Sequence, residues 1–337
     1  MSHRGKGKKR ILIVGEYPSQ GDDSKGRPFC GEKGRFLADA LFSFGLDLKE
    51  DCWMTNAMIC MPTVHTDKAL ANMTDYCAPN LHNLIAKLKP VSIILLGLRA
   101  VQAFLRTCWK EDVGPLQRWL KWEIPCQKPN AWVYPMQSIV NVLGEKRNSV
   151  VKRSFMEQLE RAVKRTSQPW EVIPDWSKEV SVLMDTDAAV KAIDEMAEKG
   201  GTIAMDYEAN SLKPEYPETF IACVSFCWNG RKTISTPWNN AIREATKRII
   251  RNPKCRFIAA NMKYEDRFTT HFVGASVRNW WLDTMIAAHV LDNRSGICSL
   301  KFQAFVNFGM PDYNHHIEPY LKNDGETHYN RIREIDI

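Results

Sequence analysis

Apolar positions along this chain gather into short runs that alternate with helical spacing. The runs "ILIVG" (11–15), "CWMTNAMIC" (52–60), "VSIILLG" (91–97) and "AWVYPM" (131–136) read as strands, since short apolar or β-branched stretches bounded by turn formers suit buried strands. Between them, periodic patterns predict helices near 34–45, 73–89, 98–107 and 148–165. Such alternation implies an α/β unit with a mostly parallel sheet. "VSIILLG", apolar on both faces, suits the centre of that sheet. Ligands of such sheets lie beyond the carboxyl ends of the strands. The stretch leaving the first strand, "VGEYPSQGDDSKGRPFCGEKGRFL" (14–37), therefore stands at the functional edge.

From Thr166 the pattern lapses. "TSQPWEVIPDWSKE" holds two prolines, two tryptophans and no period, which predicts a linker over 166–180 between a first domain at 10–165 and a second at 181–337. The second opens with "VSVLMD", an amphipathic helix closed by glycine ("TDAAVKAIDEMAEKGG") and the strand "TIAMDYEA". "FIACVSFCW" and "KTISTPW" read as an antiparallel pair turned by "NGR". A length of 337 residues accommodates two domains of ordinary size.

Composition narrows the class. With 44% hydrophobic and 25% charged residues, and no apolar run near the ~18 that span a bilayer, the expectation is a soluble protein without a membrane partner. No secretory leader is apparent, so a cytoplasmic chain is expected. The ten scattered cysteines, with no CxxC pair, are then free thiols. Basic charge is concentrated early: 26 Lys and Arg against 18 Asp and Glu up to Asp175, and 20 against 21 beyond it. That excess raises the prospect of a polyanion partner for the first domain.

In the second domain "AMDYEANSLKP" places Asp206 and Glu208 two residues apart at the end of an apolar strand. A strand period of two puts both carboxylates on one face, where their repulsion calls for a divalent cation. Downstream, "FIAANMKYEDRF" carries Asn261, Glu265 and Asp266, and "WWLDTMIAAHVLD" opens a helix at Asp283, a favoured capping residue. This ordered set over about 180–312 resembles the proofreading 3′–5′ exonuclease domain of family A DNA polymerases, in wording closest to bacteriophage versions. The resemblance implies a ribonuclease H-like fold. It also implies two-metal phosphodiester hydrolysis with Mg²⁺ or Mn²⁺ on Asp206, Glu208 and Glu265, Asp266 being the alternative if the register slips by one. The family's third motif, Tyr-x-x-x-Asp, has no match in "THYNRIREIDI". The exonuclease site is thus expected to be C-terminally incomplete, with the remainder supplied by a longer chain or a separate polymerase polypeptide.

The opening stretch lacks both GxxxxGK[ST] and GxGxxG, so a phosphate loop is excluded. It keeps Glu16 at the strand end and Phe29 between glycines, a ring suited to stacking on a flat base. Together with "MTNAMICMP" and "KPVSIILLGLRAVQAFL", it resembles the family 4 uracil-DNA glycosylases over about 10–165. The resemblance implies an α/β/α sandwich and DNA as partner. Glu16 would direct the water that attacks C1′ of a flipped deoxyuridine, and Phe29 and Asn56, beside Gly15, would hold the base. Where the family has an "HPS" motif this chain has Met136, Gln137 and Ser138, of which methionine cannot supply the histidine's donor and Gln137 could do so only as a neutral amide. Losing that donor should slow excision and favours binding without cutting as the alternative. Of the four cysteines that hold the family's [4Fe–4S] cluster, Cys60 and Cys77 remain, with Cys52 and Cys126 as substitutes.

Overall fold

The computed structural model describes residues 1–144, 150–173, 175–311, 314–323 and 327–335. The chain divides into two compact units, Met1–Ile173 with Lys301–Asp312, and Pro174–Leu300 with Tyr313–Ile337.

In the first unit the elements run β1 (Ile11–Gly15), α1 (Gln20–Lys25), α2 (Glu32–Phe42), α3 (Leu48–Asp51), β2 (Cys52–Asn56), α4 (Asp67–Leu88), β3 (Ser92–Leu96), α5 (Leu98–Leu105), β4 (Ile124–Cys126), β5 (Ala131–Met136), α6 (Ile139–Gly144) and α7 (Val150–Lys164). The expected start of α7 at 148 falls outside the described residues. The sheet order is β2-β1-β3-β5-β4, with every neighbouring pair parallel except β4 and β5. β1 and β3 are buried throughout, as their apolar runs require. On one side of the sheet Leu37 and Leu41 of α2 and Phe155 and Leu159 of α7 close the core against Ile11, Ile13 and Ile94. Helices therefore flank a central sheet, the α/β arrangement expected.

The second unit runs β6 (Val180–Val182), α8 (Thr186–Lys199), β7 (Gly201–Ala209), β8 (Ile221–Trp228), β9 (Lys232–Pro237), α9 (Asn240–Arg251), β10 (Cys255–Ala259), α10 (Met262–Val273), β11 (Trp280–Asp283) and α11 (Thr284–Leu291). Its sheet order is β11-β10-β7-β8-β9-β6. β7 pairs antiparallel with β8 and β8 with β9, while β10 lies parallel to β7. The β8–β9 turn carries Asn229 and Gly230 in left-handed conformation (φ 50° and 67°), the geometry an Asn-Gly hairpin favours.

α12 (Leu300–Phe308) departs from sequence order, and a last short helix, α13 (Glu318–Leu321), follows it. The expected boundaries leave 301–312 with the second domain, whereas these residues pack in the first unit. Phe302 and Phe305 are fully buried against Trp109 and Trp119, at ring separations of 5.1 to 6.0 Å. Lys301 pairs with Glu111 at 3.1 Å. Aromatic burial on this scale outweighs chain continuity, because each such ring removes ~150–250 Å² from water.

Candidate functional site

Each unit brings chemistry to the carboxyl end of a central strand. In the first, β1 and β2 are parallel with Gly15 opposite Asn56. A small cavity of about 50 Å³ opens there, and Gly15, Glu16, Phe29 and Asn56 all line it. The four residues expected at the base site are therefore gathered in one place.

Two glycines make that approach close. A Cβ on Gly15 would collide with Asn56 Oδ1 and stand 2.9 Å from Phe29 Cζ. Gly97, at φ 98°, leaves the space that Glu16 fills, since a Cβ there would lie 2.7 Å from Glu16 Cγ. Phe29 itself adopts a left-handed φ of 56°, unusual without glycine and the kind of strain found at ligand clamps. The turn is held by Asp22, which is buried: one oxygen accepts the Cys30 N–H at 2.6 Å and the other completes the capping box with Ser19.

Glu16 stands at the amino end of α5, where Oε1 accepts the Arg99 N–H at 3.2 Å. Burial pushes its carboxyl above the ordinary range, and that backbone donor partly opposes the shift. The Asn56 side chain is buried yet engaged in no hydrogen bond among the described residues, leaving its amide for a ligand. Of the three residues standing where the histidine motif would be, Met136 is fully buried and Gln137 turns to the Asn141 amide at 3.1 Å. Ser138 is the one that lines the cavity. The candidate cluster cysteines do not assemble: Cys60 is exposed, Cys77 is buried on α4, and Cys52 and Cys126 are buried. Among the described residues no three His, Cys, Asp or Glu side chains form a group able to hold a metal.

In the second unit β7 projects Asp206 and Glu208 from one face, as their spacing requires, and Tyr207 from the other. β10 pairs with β7 only as far as Ala204. Beyond that point the Tyr207 N–H has no strand partner on this side, and Glu265 from α10 accepts it at 3.2 Å through Oε2. Partial desolvation raises all three carboxyls, although Asp206 stays exposed at the surface. Glu208 is pushed up to about 7, with Asp206 adding repulsion, and Glu265 to about 9, with Asp206 and Glu208 adding to its burial.

The ligand set expected for a metal is therefore only partly assembled, because Glu265 is turned toward the backbone of β7. The donors are all hard oxygens, and their uncompensated charge is what a hard divalent cation relieves, so they fit Mg²⁺ or Mn²⁺ by chemistry. Asp266 points elsewhere, accepting from Val277 N at 3.2 Å and Trp280 Nε1 at 3.0 Å. Asp283 caps α11 and also accepts the N–H groups of Asn261 and Met262, fixing the start of α10.

Sequence reasoning missed one wall of this site. Residues 328–330, in the segment that lacks the third motif, return to the end of β7. Ser211 and Tyr329 form an antiparallel bridge, Asn330 N donates to Asn210 O at 2.8 Å, and Asn330 Nδ2 donates to Ala209 O at 3.0 Å. His328 stacks on Tyr216 at 4.5 Å. Glu208, Tyr264, Lys322, His328 and Asn330 thus share a cleft of about 540 Å³. No local pattern signals this docking, which is made by backbone groups that every residue carries.

Residues 3–160 match the family model of the uracil DNA glycosylase superfamily. The type-4 uracil-DNA glycosylase of Pyrobaculum aerophilum is 36% identical over 101 residues, 30% of this chain and 50% of that protein. That of Archaeoglobus fulgidus is 35% identical over 98 residues, 29% of this chain and 48% of that protein. The chain spans about half the length of the curated relatives it matches. Among solved structures, the catalytic core of RRP6 from Trypanosoma brucei is similar with a TM-score of 0.36 at 14% identity, over 47% of this chain and 40% of that one. Escherichia coli RNase D, an exoribonuclease involved in structured RNA processing, is similar with a TM-score of 0.34 at 14% identity, over 43% of this chain and 38% of that one.

Proposed function

We propose that the first unit recognises a uracil-type base extruded from DNA and excises it slowly. The observation that carries this is the single cavity lined by Gly15, Glu16, Phe29 and Asn56, in the stretch that matches the glycosylase superfamily. Phe29 stacks on the base, the free Asn56 amide pairs with its polar edge, and Gly15 lets the ring approach. Glu16, buried with a raised proton affinity, takes the proton of the water that attacks C1′ as the N1–C1′ bond breaks. Negative charge developing on the departing uracil meets the neutral donors Asn56 and Ser138, with Lys33 as the one cation lining the cavity among the described residues. Losing the motif's histidine removes one preorganised donor, which costs roughly 10²–10³ in rate.

The test is alkali-induced scission of uracil-containing single-stranded DNA. Slow scission that vanishes in Phe29→Ala/Asn56→Ala is expected. The reading falls if the protein neither cuts at uracil nor prefers uracil-bearing over thymine-bearing strands. Preference without scission would support the second reading, a base-sensing module, which the absence of the motif's histidine favours.

For the second unit we propose 3′–5′ exonuclease action. Asp206 and Glu208, with Glu265, would hold Mg²⁺ or Mn²⁺, which when bound supplies water activation and charge neutralisation. The chain's own groups do the positioning: Lys322, His328, Asn330 and Tyr264 line the cleft beside Glu208, where a nucleic-acid 3′ end is accommodated. Shortening of 3′-labelled DNA with either ion, absent in Asp206→Ala, is expected. The two activities together suit the replication apparatus of a bacteriophage in its bacterial host, with a family A polymerase domain in the same or a partner polypeptide.

A further inference from the structure

A basic groove adjoins the base cavity. Arg4, Lys25, Arg27, Arg35 and Lys49 line a depression of about 660 Å³ whose only acids are Asp39 and Asp47. None of the five cations forms an ion pair among the described residues, whereas nearby Lys6 and Lys8 both pair with Glu50 at 2.8 Å. Asp47 is already engaged, accepting the Lys49 and Glu50 N–H groups at 2.8 Å at the start of α3. Like charges left unpaired in a concave surface repel one another and concentrate anions.

The groove also has an aromatic wall. Phe42 on α2 lines it with 80% of its surface exposed, beside buried Leu46, Leu48 and Met54. Unpaired cations around an exposed ring are the combination by which proteins hold single-stranded nucleic acid, charge tracking the phosphates and the ring taking a base. Phe29 lines both the groove and the small cavity, so the two are neighbours.

We propose that this groove binds the strand flanking the extruded base, as single-stranded DNA. Lys25, Arg27 and Arg35 contact successive phosphates and Phe42 stacks on a neighbouring base. The proposal rests on the base-pocket reading, but it is testable without uracil.

The experiment measures binding of the full chain to a fluorescent thymidine 12-mer by anisotropy across a salt series, with EDTA present to silence metal-dependent cleavage. Lys25→Glu/Arg27→Glu/Arg35→Glu is expected to weaken binding at least tenfold. Its log–log salt slope should be shallower by about 2, at ~0.7 per lost phosphate contact. Phe42→Ala is expected to weaken binding at least fivefold at unchanged slope, since stacking is worth at least ~1 kcal/mol per base. The groove assignment is overturned if the charge-reversed protein, melting like the parent, binds equally well. It is also overturned if polyglutamate competes as well as unlabelled oligonucleotide. An absent uracil preference in the parent protein beside a charge-reversal loss would sink the base reading and leave the groove standing.

Discussion

The two candidate sites occupy the same place in their sheets and are built on opposite principles. Beyond β1, Gly15, Gly97 and a left-handed Phe29 bring one acid, one amide and one ring together in a cavity of about 50 Å³. Beyond β7, three acids share an electrostatic neighbourhood, and one of them, Glu208, lines a cleft of about 540 Å³. The first site is defined by steric fit and is shaped before a ligand arrives. The second is defined by charge and stays unbalanced until something positive joins it.

That contrast is open to attack in order of effect. Asp206→Asn should take metal-dependent 3′ shortening to background while leaving uracil recognition intact, read on 3′-labelled and uracil-bearing strands in parallel. Gly15→Ala should be the converse. Its new methyl meets Asn56 and Phe29, and a displacement near 1 Å costs on the order of 10² in rate. Preference for uracil over thymine should collapse, with shortening unaffected.

A smaller effect is the pH dependence of stability. Glu208 and Glu265 have folded values near 7 and 9 against an ordinary 4.5. Both therefore favour the folded state fully below about pH 4.5, and that advantage is lost as pH rises through 7 and then 9. Thermal melts without divalent ions should show the second unit weakening over this range. Mn²⁺ should raise its melting temperature more at pH 8.5 than at pH 5, and an equal rise at both would count against cation binding by these carboxylates. Smallest of all, Asp283→Ala should destabilise the second unit by ~1–2 kcal/mol, since it removes the α11 cap and the acceptor for the Asn261 and Met262 N–H groups. Denaturant titration would measure this.

Much of this was legible in the sequence because it is written locally. The apolar runs located β1, β2, β3 and β5, the Asn-Gly pair located the β8–β9 hairpin, and the DxE spacing placed Asp206 and Glu208 on one face. Sequence could name Gly15 but not the collision that forbids a side chain there, which depends on Asn56 in another strand. It offered Gln137 as a neutral donor, whereas the entry into α6 puts Ser138 in the cavity and turns Gln137 to Asn141. The orientation of Glu265 followed from where β10 stops relative to β7, a matter of register between distant segments. The return of His328 and Asn330 to β7 was invisible for the same reason.

α12 carries a practical consequence for anyone cutting the gene. A fragment ending at residue 173 would lack one wall of the Trp109–Trp119 cluster, leaving two large rings facing water. It would be prone to aggregate however well its base cavity were formed. A peptide spanning 300–311, supplied in trans, should rescue its solubility and make the fragment a split protein whose halves report on each other by reassembly.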